Sequence, residues 1–393
     1  MAHEHWLLPE GIDETLPPEA RAQEALRREL LDLYHRWGYD LVFPPFIEYL
    51  DSLLSGTGSD LELQTFKITD QITGRTLGIR ADITPQAARI DAHKLRHGGT
   101  TRLCYLGTVL KARGEGMAAS RSPLQIGAEL YGHGGVEAEL EILTLMLETL
   151  ERAGIGGIHL DLGHVGIYRG LAQRAGLAPA DEQALFGALQ RKAVPELQQL
   201  VDGFGLERAL GRMLVGLAEM SGGREVLEQA PVQLAGAGEE VVAALTRLRR
   251  LADLLAQRVP GIPVHYDLAE LRGYHYHTGV VFAAFVPGQG QELARGGRYD
   301  AIGRLFGRAR PACGFSADLK QLFRLGRREA AADEPAVLAP PVQEPGLEEK
   351  VAWLRSRGRR VVQALSGEPD ETRASGCGEK LAKQGGEWVV VPI

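Results

Sequence analysis

The chain has 393 residues and a formal net charge of -7 at pH 7, with 44% hydrophobic and 24% charged residues. This composition is typical of a globular protein with a sizeable core, and the length predicts two or three domains or one large mixed sheet. The acidic balance argues against general nucleic-acid binding by long-range attraction, so we do not expect a nucleic-acid partner.

The cysteines and the apolar segments bear on the cellular compartment. Cys104, Cys313 and Cys377 form no CxxC pair, which argues against a disulfide framework or a structural zinc site. Residues 1–10 contain no basic stretch leading into an apolar segment, and no later segment is apolar over the length of a bilayer. We therefore expect a cytoplasmic protein without membrane contact.

The first 153 residues alternate between helical and strand-like patterns. Pro44 and Pro45 must lie at a sheet edge or an interface, because proline cannot donate to a strand ladder. The small, charged and glycine-bearing segment 111–121 predicts a mobile loop over a cleft. In order, the pattern predicts a helix over 19–37, strands at 41–43, 61–68 and 75–79, a helix from Pro85, strands at 102–110 and 124–131, and a helix over 136–153.

The rest of the chain predicts an α+β protein. A strand at 158–162 precedes a purely helical stretch, and strands return at 264–268 and 279–285. The segment 294–300 follows, and an apolar stretch at 312–315 precedes a last core helix. Residues 331–335 have the composition of a linker, and beyond them we expect one helix near 346–357 and strands at 359–365 and 388–392. We therefore predict a core of residues 1–328 with a helical insertion at about 166–257, and a small α/β segment at 329–393.

Several familiar active sites have no counterpart in the sequence. There is no serine-histidine-aspartate ordering, GxSxG elbow or Walker A motif, and Gly288-Gln289-Gly290 lacks the third glycine of a dinucleotide fingerprint. His265, His275 and His277 suggest a metal, yet no acidic or cysteine ligand at a recognisable spacing completes a set. We predict neither a metal nor a cofactor.

The segment 271–279 concentrates groups that suit a small polar ligand. Arg272 offers a charge clamp, while Tyr274, His275, Tyr276 and His277 supply aromatic walls and hydrogen-bonding tips just before an apolar run. The alternative is a hairpin whose rings only fill a core.

Two polar pairs are further candidates. Asp82 and Thr84 stand at a helix start, where the aspartate either binds a ligand or caps the helix. Gln125 and Glu129 lie four apart in an apolar strand and so share one face of it. A buried carboxylate and amide need partners, and for this pair we favour a ligand over solvent.

Five segments in order resemble the catalytic core of histidyl-tRNA synthetase, a class II aminoacyl-tRNA synthetase, over residues 8 to about 325. Residues 38–48 resemble the dimer-forming first motif, and the histidine-binding segments are similar to residues 79–84, 125–129 and 271–279. Gly296-Gly297-Arg298-Tyr299-Asp300 resembles the glycine-rich strand that follows. The resemblance implies an antiparallel sheet flanked by helices and free L-histidine as ligand.

The resemblance also implies a role for each candidate residue. Asp82 and Thr84 are expected to meet the histidine amine, Gln125 and Arg272 its polar backbone groups, Glu129 with Tyr276 or His277 the imidazole, and Arg113 and Arg121 the carboxylate as further contacts. These types fit, since carboxylates bind a cationic amine and arginine binds a carboxylate.

The ATP-handling positions depart from the synthetase pattern. Where synthetases have an arginine and a glutamate for ATP, this chain has Lys111 and Arg113, and Gln321 replaces the arginine that clamps the triphosphate. A neutral amide lacks the charge and bidentate geometry of arginine, so we expect no ATP activation. The residues after 328 are also short for the anticodon-binding domain of that family.

A histidine-binding core without adenylation resembles the regulatory-subunit branch of that family, which serves ATP phosphoribosyltransferase. This resemblance implies a non-catalytic chain that activates the short-form catalytic subunit at the first step of histidine biosynthesis and takes part in feedback inhibition by histidine. It further implies a hetero-octamer, four of each chain, built on self-dimers. The alternatives are a working histidyl-tRNA synthetase and a tRNA-binding or scaffold protein with a vestigial pocket.

Overall fold

The computed structural model describes residues 6–54, 58–114, 120–274, 276–326, 335–341, 344–367 and 376–393. The chain divides into two compact units, Met1–Arg327 and Arg328–Ile393. The first unit has two sheets and the second has one, and each unit has its own hydrophobic core. The predicted linker lies outside the described residues except for Pro335.

The first unit is built on a nine-stranded sheet and a three-stranded sheet. The large sheet has the order β1-β5-β6-β12-β11-β10-β7-β9-β8, and the small sheet has the order β2-β4-β3. Neighbouring strands are antiparallel except for the pairs β1-β5 and β7-β9, as the predicted fold class requires. The strands are β1 (Asp40–Leu41), β2 (Ile47–Tyr49), β3 (Phe66–Thr69), β4 (Thr76–Ile79), β5 (Thr101–Thr108), β6 (Leu124–Tyr131), β7 (His159–His164), β8 (Ser221–Gly222), β9 (Val264–Asp267), β10 (Val280–Phe285), β11 (Ala294–Arg298) and β12 (Ala312–Asp318).

Helices cover one face of the large sheet. Leu30 of the first helix and Ile142 and Met146 of the fifth join Ile126 and Ala128 of β6 in the largest hydrophobic cluster. No helix in the described ranges is apolar over enough length to cross a membrane. The helices are α1 (Glu19–Arg36), α2 (Leu50–Leu53), α3 (Gly58–Gln64), α4 (Thr84–Arg89), α5 (Val136–Arg152), α6 (Val165–Ala175), α7 (Pro179–Gln190), α8 (Val194–Phe204), α9 (Arg208–Gly216), α10 (Glu225–Gln233), α11 (Glu239–Arg258) and α12 (Leu319–Leu325).

Helix α4 connects the two sheets of the first unit. Pro85 stands in its first turn, as predicted, and the chain continues from its end into a π-helix over Ile90–Leu95. Gln86 Nε2 and Arg89 Nη2 donate to Glu48 Oε1 of β2 at 2.7 and 2.6 Å. The helix therefore lies between the large sheet and the small one.

Two predictions of secondary structure are wrong. Residues 61–64 belong to helix α3, and the predicted strand begins only at Phe66. Leucine, glutamate and glutamine are strong helix formers, and Thr65 Oγ1 extends the helical bonding by donating to the Leu61 carbonyl at 2.7 Å. The stretch 166–257 is not purely helical either, since β8 lies within it and pairs with β9.

In its described residues the second unit is a four-stranded sheet with one helix, in the strand order β14-β13-β15-β16. Two of its strands, β13 and β15, are absent from the prediction. Strand β15 is mostly polar and buries only Leu381, whereas β13 is apolar and mostly buried but follows directly on the predicted linker. Its elements are β13 (Ala336–Ala339), α13 (Leu347–Ser356), β14 (Val361–Gln363), β15 (Cys377–Gln384) and β16 (Glu387–Pro392).

Candidate functional site

The face of the large sheet opposite α1 and α5 carries a buried cluster of polar and aromatic side chains around Glu129, termed the pocket, beside two glycines. Glu129 on β6 pairs with Gly314 on β12, which in turn pairs with Gly297 on β11. A Cβ atom on Gly314 would lie 1.6 Å from Glu129 Oε2, and one on Gly297 would lie 2.8 Å from the ring of His277. Both glycines therefore leave space that the side chains of Glu129 and His277 occupy in part.

Glu129 is the centre of this pocket. Its side chain is 1% exposed, and its two carboxyl oxygens accept hydrogen bonds from Tyr105 at 2.9 Å and from Tyr299. Burial raises the pKa of Glu129 to about 8, because the hydroxyl hydrogen bonds only partly offset the desolvation of its charge. The pocket therefore holds a carboxyl group that exchanges its proton near neutral pH.

Asp82, Thr84 and Gln125 form one hydrogen-bonded group next to Glu129. Gln125 Nε2 donates to Asp82 Oδ1 at 2.7 Å, and its Oε1 accepts from the Ile83 amide at 2.9 Å. Asp82 also accepts from the Thr84 amide at 2.9 Å, but it is not the N-cap of α4 as the capping alternative requires, because that position is Ile83. The Thr84 hydroxyl lies 3.0 Å from the Tyr105 hydroxyl, which links the group to Glu129.

Tyr276 and His277 form the aromatic wall of the pocket. The Tyr276 ring stacks on Tyr299 with centroids 5.0 Å apart, and the His277 ring stands edge-on to Tyr276 at 5.3 Å. Burial lowers the pKa of His277 to about 4, so this imidazole is neutral at pH 7. The Tyr276 hydroxyl is buried and has no hydrogen-bond partner in the described part of the chain.

Arg272 does not join this network among the described residues. Its Nε donates to Glu270 at 2.9 Å, its Nη2 donates to Asp161 at 3.3 Å, and its guanidinium lies 5.3 Å over the Phe285 ring. Burial would raise the pKa of Glu270, but the hydrogen bonds and charge of Arg272 hold it below its ordinary value. Arg272 is thus tied to acidic residues beside the loop that carries Tyr276.

The two arginines of the predicted loop also lie apart from the tyrosine network. Arg121 donates to the carbonyls of Lys111 and Glu10 at 3.0 and 3.1 Å, which closes the base of the loop. Arg113 is exposed. Residues 115–119 of the predicted mobile loop lie outside the described residues.

The cations on either side of Gln321 are paired within the chain. Lys320 Nζ donates to Asp13 Oδ1 at 2.8 Å, and Arg324 donates to Asp13 Oδ2. Gln321 lies between them on α12 and offers only a neutral amide. This region therefore presents two cations that share a single carboxylate, beside a neutral amide.

Tyr105 and Tyr299 are pocket residues that sequence reasoning missed. Tyr299 lies in the glycine-rich segment 296–300, so its position in that motif was an available signal. Tyr105 is an aromatic residue inside a buried strand and reads as a core residue. Within the described ranges no group of three or more histidine, cysteine, aspartate or glutamate side chains could hold a metal, and His275 lies outside those ranges.

Two family models match the chain. The one described as Histidyl-tRNA synthetase matches residues 11–322. The one described as ATP phosphoribosyltransferase subunit HisZ C-terminal domain matches residues 334–391. Together they span both compact units.

Curated relatives and solved structures agree with these matches. The proteins named ATP phosphoribosyltransferase regulatory subunit from Thioalkalivibrio sulfidiphilus and Alkalilimnicola ehrlichii are 57% and 56% identical, over 99% of this chain and 98% and 97% of theirs. A structure described as an ATP phosphoribosyltransferase regulatory subunit/histidyl-tRNA synthetase from Bacillus halodurans has a TM-score of 0.83 at 27% identity and covers 95% of this chain and 97% of its own. The histidyl-tRNA synthetase of Nostoc sp. PCC 7120 shares the fold, with a TM-score of 0.76 at 18% identity over 98% of this chain and 97% of its own.

Proposed function

Because this chain belongs to the family of ATP phosphoribosyltransferase regulatory subunits, which share the histidyl-tRNA synthetase fold, we propose that it binds L-histidine and regulates a separate catalytic subunit. In this role it assembles with the short-form catalytic ATP phosphoribosyltransferase in the cytoplasm, activates it, and conveys feedback inhibition by histidine. The chain itself transfers no phosphoribosyl group and charges no tRNA.

The observation that carries the histidine proposal is the unpartnered hydroxyl of Tyr276. A buried hydroxyl without a partner costs about 1–3 kcal/mol, and a ligand with a ring nitrogen would supply that partner. The same ligand ring would lie among the aromatic side chains, with its N–H directed to the carboxyl group of Glu129. Imidazole combines a flat ring, an acceptor nitrogen and a donor N–H.

The remaining contacts follow from the other charged groups of the site. We assign the histidine amine to Asp82 and Thr84, because a carboxylate favours a cationic amine. Gln125 holds Asp82 in place through its amide and lies next to the backbone end of the ligand. The guanidinium of Arg272 is bonded to Glu270 and Asp161, so it would bind the carboxylate of the ligand only after releasing one of them. The ligand carboxylate thus competes with these acidic side chains for the same cation.

The absence of adenylation in our proposal rests on charge. Activation of an amino acid by ATP depends on cations that meet the developing charge of the phosphates. Here Lys320 and Arg324 are both paired with Asp13, and Gln321 is neutral. We therefore expect purified protein to give no histidine-dependent exchange of pyrophosphate into ATP.

Assembly into a hetero-octamer of four regulatory and four catalytic chains also belongs to the proposal. The surface around β1 and β2 exposes Phe43, Phe46 and Ile47, which are 75%, 39% and 43% exposed. Clustered apolar side chains on a surface favour protein contacts, and this surface coincides with the segment that resembles the dimer-forming motif. We assign the self-dimer to it.

One reconstitution experiment tests the proposal. The chain is mixed with a short-form catalytic subunit, and phosphoribosyl transfer is measured with and without L-histidine, alongside calorimetry of histidine binding. We expect transfer to rise on mixing and to fall with histidine. Tyr276→Phe should weaken histidine binding about five- to tenfold, since one hydrogen bond is lost.

The control for that variant is Tyr34→Phe, which removes another buried tyrosine hydroxyl, bonded to Thr149 on the opposite face of the sheet. Its histidine affinity should equal that of the wild type. No histidine binding by the isolated chain or by the complex would leave a scaffold role only. Measurable pyrophosphate exchange would instead identify a working synthetase.

A further inference from the structure

A single arginine on helix α6 is bonded to the loop that carries Tyr276 and His277. Arg169 Nη2 donates to the carbonyl oxygens of Tyr274 at 3.0 Å and of His277 at 2.9 Å. Its guanidinium also lies 5.0 Å over the ring of Tyr274. One side chain therefore satisfies two backbone acceptors that stand on either side of Tyr276.

The loop is folded back on itself at Gly273. The amides of Tyr276 and His277 both donate to the Gly273 carbonyl, at 2.8 and 2.7 Å. Gly273 has a φ of +63°, and a Cβ atom there would lie 2.6 Å from Cδ2 of His277. This compact turn sets the direction in which the two pocket rings project.

Tyr274 fastens the same loop to the helices between β7 and β9. Its ring packs against Tyr168 of α6 and Phe186 of α7, with centroids 5.3 and 5.2 Å apart. Its hydroxyl donates to Glu182 of α7 at 3.4 Å. Helices α6 and α7 thus contact the loop through an aromatic cluster and through the guanidinium of Arg169.

We propose that Arg169 is a positioning residue for the histidine pocket, which it shapes by fixing the turn that presents Tyr276 and His277. The inference rests on the proposed histidine binding and extends it to a residue outside the pocket. Without the guanidinium, two half-buried carbonyls lose their donor, and the turn gains conformations in which Tyr276 no longer stacks on Tyr299. The charge of Arg169 also helps to lower the pKa of His277, after the larger effect of burial.

The test compares two substitutions at this position with a matched one on the same helix. Arg169→Gln should weaken histidine binding at least tenfold in calorimetry, while Arg169→Lys should retain an intermediate affinity because lysine reaches the carbonyls without the planar fork. Arg174→Gln is the control, since Arg174 is exposed on α6 and donates to Gly236 instead of the loop. Its affinity should equal that of the wild type.

A double-mutant cycle separates positioning from general destabilisation. If Arg169 acts through the loop, Arg169→Gln should cost much less in the Tyr276→Phe background than in the wild type. The inference would be overturned if the losses in binding free energy of the two single variants added fully in the double variant, or if Arg169→Gln bound histidine as tightly as Arg174→Gln. Either result would leave the proposed function untouched. Should Arg169→Gln fail to fold, wild-type affinity in Arg169→Lys would overturn it, and a wild-type chain that binds no histidine would overturn the proposed function as well.

Discussion

Gly314 stands directly opposite Glu129 across the β6-β12 pair, at a position where a Cβ atom would lie 1.6 Å from a carboxyl oxygen. Gly314→Ala should therefore displace the Glu129 side chain and abolish histidine binding. We expect a loss of about 1–3 kcal/mol in the free energy of unfolding, which is usual for an overpacked core site. Calorimetry with histidine and urea unfolding would measure the two effects.

Gly156→Ala is the control for that substitution. A Cβ atom on Gly156 would meet nothing within 4 Å, so both stability and histidine binding should be preserved. Wild-type affinity in Gly314→Ala would show that Glu129 does not bind the ligand.

Glu129 should make the stability of the unliganded protein fall with rising pH. Its pKa is raised to about 8 by burial, so the folded state holds a proton that the unfolded state releases above its ordinary value of 4.5. The free energy of unfolding of the wild type, minus that of Glu129→Gln, should decrease between pH 4.5 and 8 and be constant outside this window. Urea unfolding at several pH values measures this difference, and a flat difference would contradict the raised pKa.

Arg272→Ala should abolish the histidine response of the reconstituted complex while leaving assembly intact. The side chain supplies the cation for the ligand carboxylate in our proposal, and it lies half-buried against Glu270. The readouts are histidine inhibition of phosphoribosyl transfer and the size of the complex in chromatography. Unchanged inhibition would remove Arg272 from the pocket.

Glu270→Gln tests the same assignment in the opposite direction. If Arg272 must leave Glu270 to reach the ligand, a neutral glutamine at position 270 should hold Arg272 less tightly and so increase histidine affinity. Reduced affinity in Glu270→Gln would instead mean that the ion pair itself holds the binding loop.

A buried ion cluster behind the pocket should govern acid stability. Glu139 is fully buried and accepts from Arg298 Nε at 2.7 Å and from Arg247 Nε at 2.8 Å. Burial would raise the pKa of Glu139, but the two arginines more than offset it and hold the pKa below its ordinary value. Arg298→Met should cost about 3–5 kcal/mol at pH 7, since it breaks a buried pair.

The same cluster should determine how the free energy of unfolding falls at acid pH. Because its folded pKa is depressed, Glu139 contributes stability above its ordinary value of 4.5 and loses it as pH falls through the folded pKa. Glu139→Gln should be less stable than the wild type at pH 7 and approach it in acid. A constant difference across that range, measured by urea unfolding, would contradict the ion-pair account.

The sequence predicted the antiparallel α+β core because apolar periodicity is strong where strands and helices are long. It predicted Gln125 and Glu129 on one face, and the structure places both beside Asp82 and Tyr105. Five motifs in the same order, among them the glycine-rich segment 296–300, carried the resemblance to the family. Each of these signals comes from residues close together in the sequence, so the spacing of residues is enough to recognise it.

Contacts between distant segments were beyond sequence reasoning. Tyr105 reaches Glu129 from a strand 24 residues away, and Tyr299 reaches it from 170 residues away. Arg272 carried the expected charge, yet one of its two acidic partners, Asp161, lies 111 residues earlier in the chain. The helix at residues 61–64 was mistaken for a strand because its alternation of apolar and polar residues is short enough to fit both periods.

Helix α4 has a consequence for signalling beyond the pocket. Its first residue, Thr84, contacts Tyr105, while Arg89 at its other end donates to Glu48 on the small sheet. The six residues of the helix span only ~9 Å, so we expect a movement of one end to be transmitted to the other with little bending. We therefore expect a ligand that displaces Thr84 to displace Glu48 as well, next to the apolar surface at Ile47.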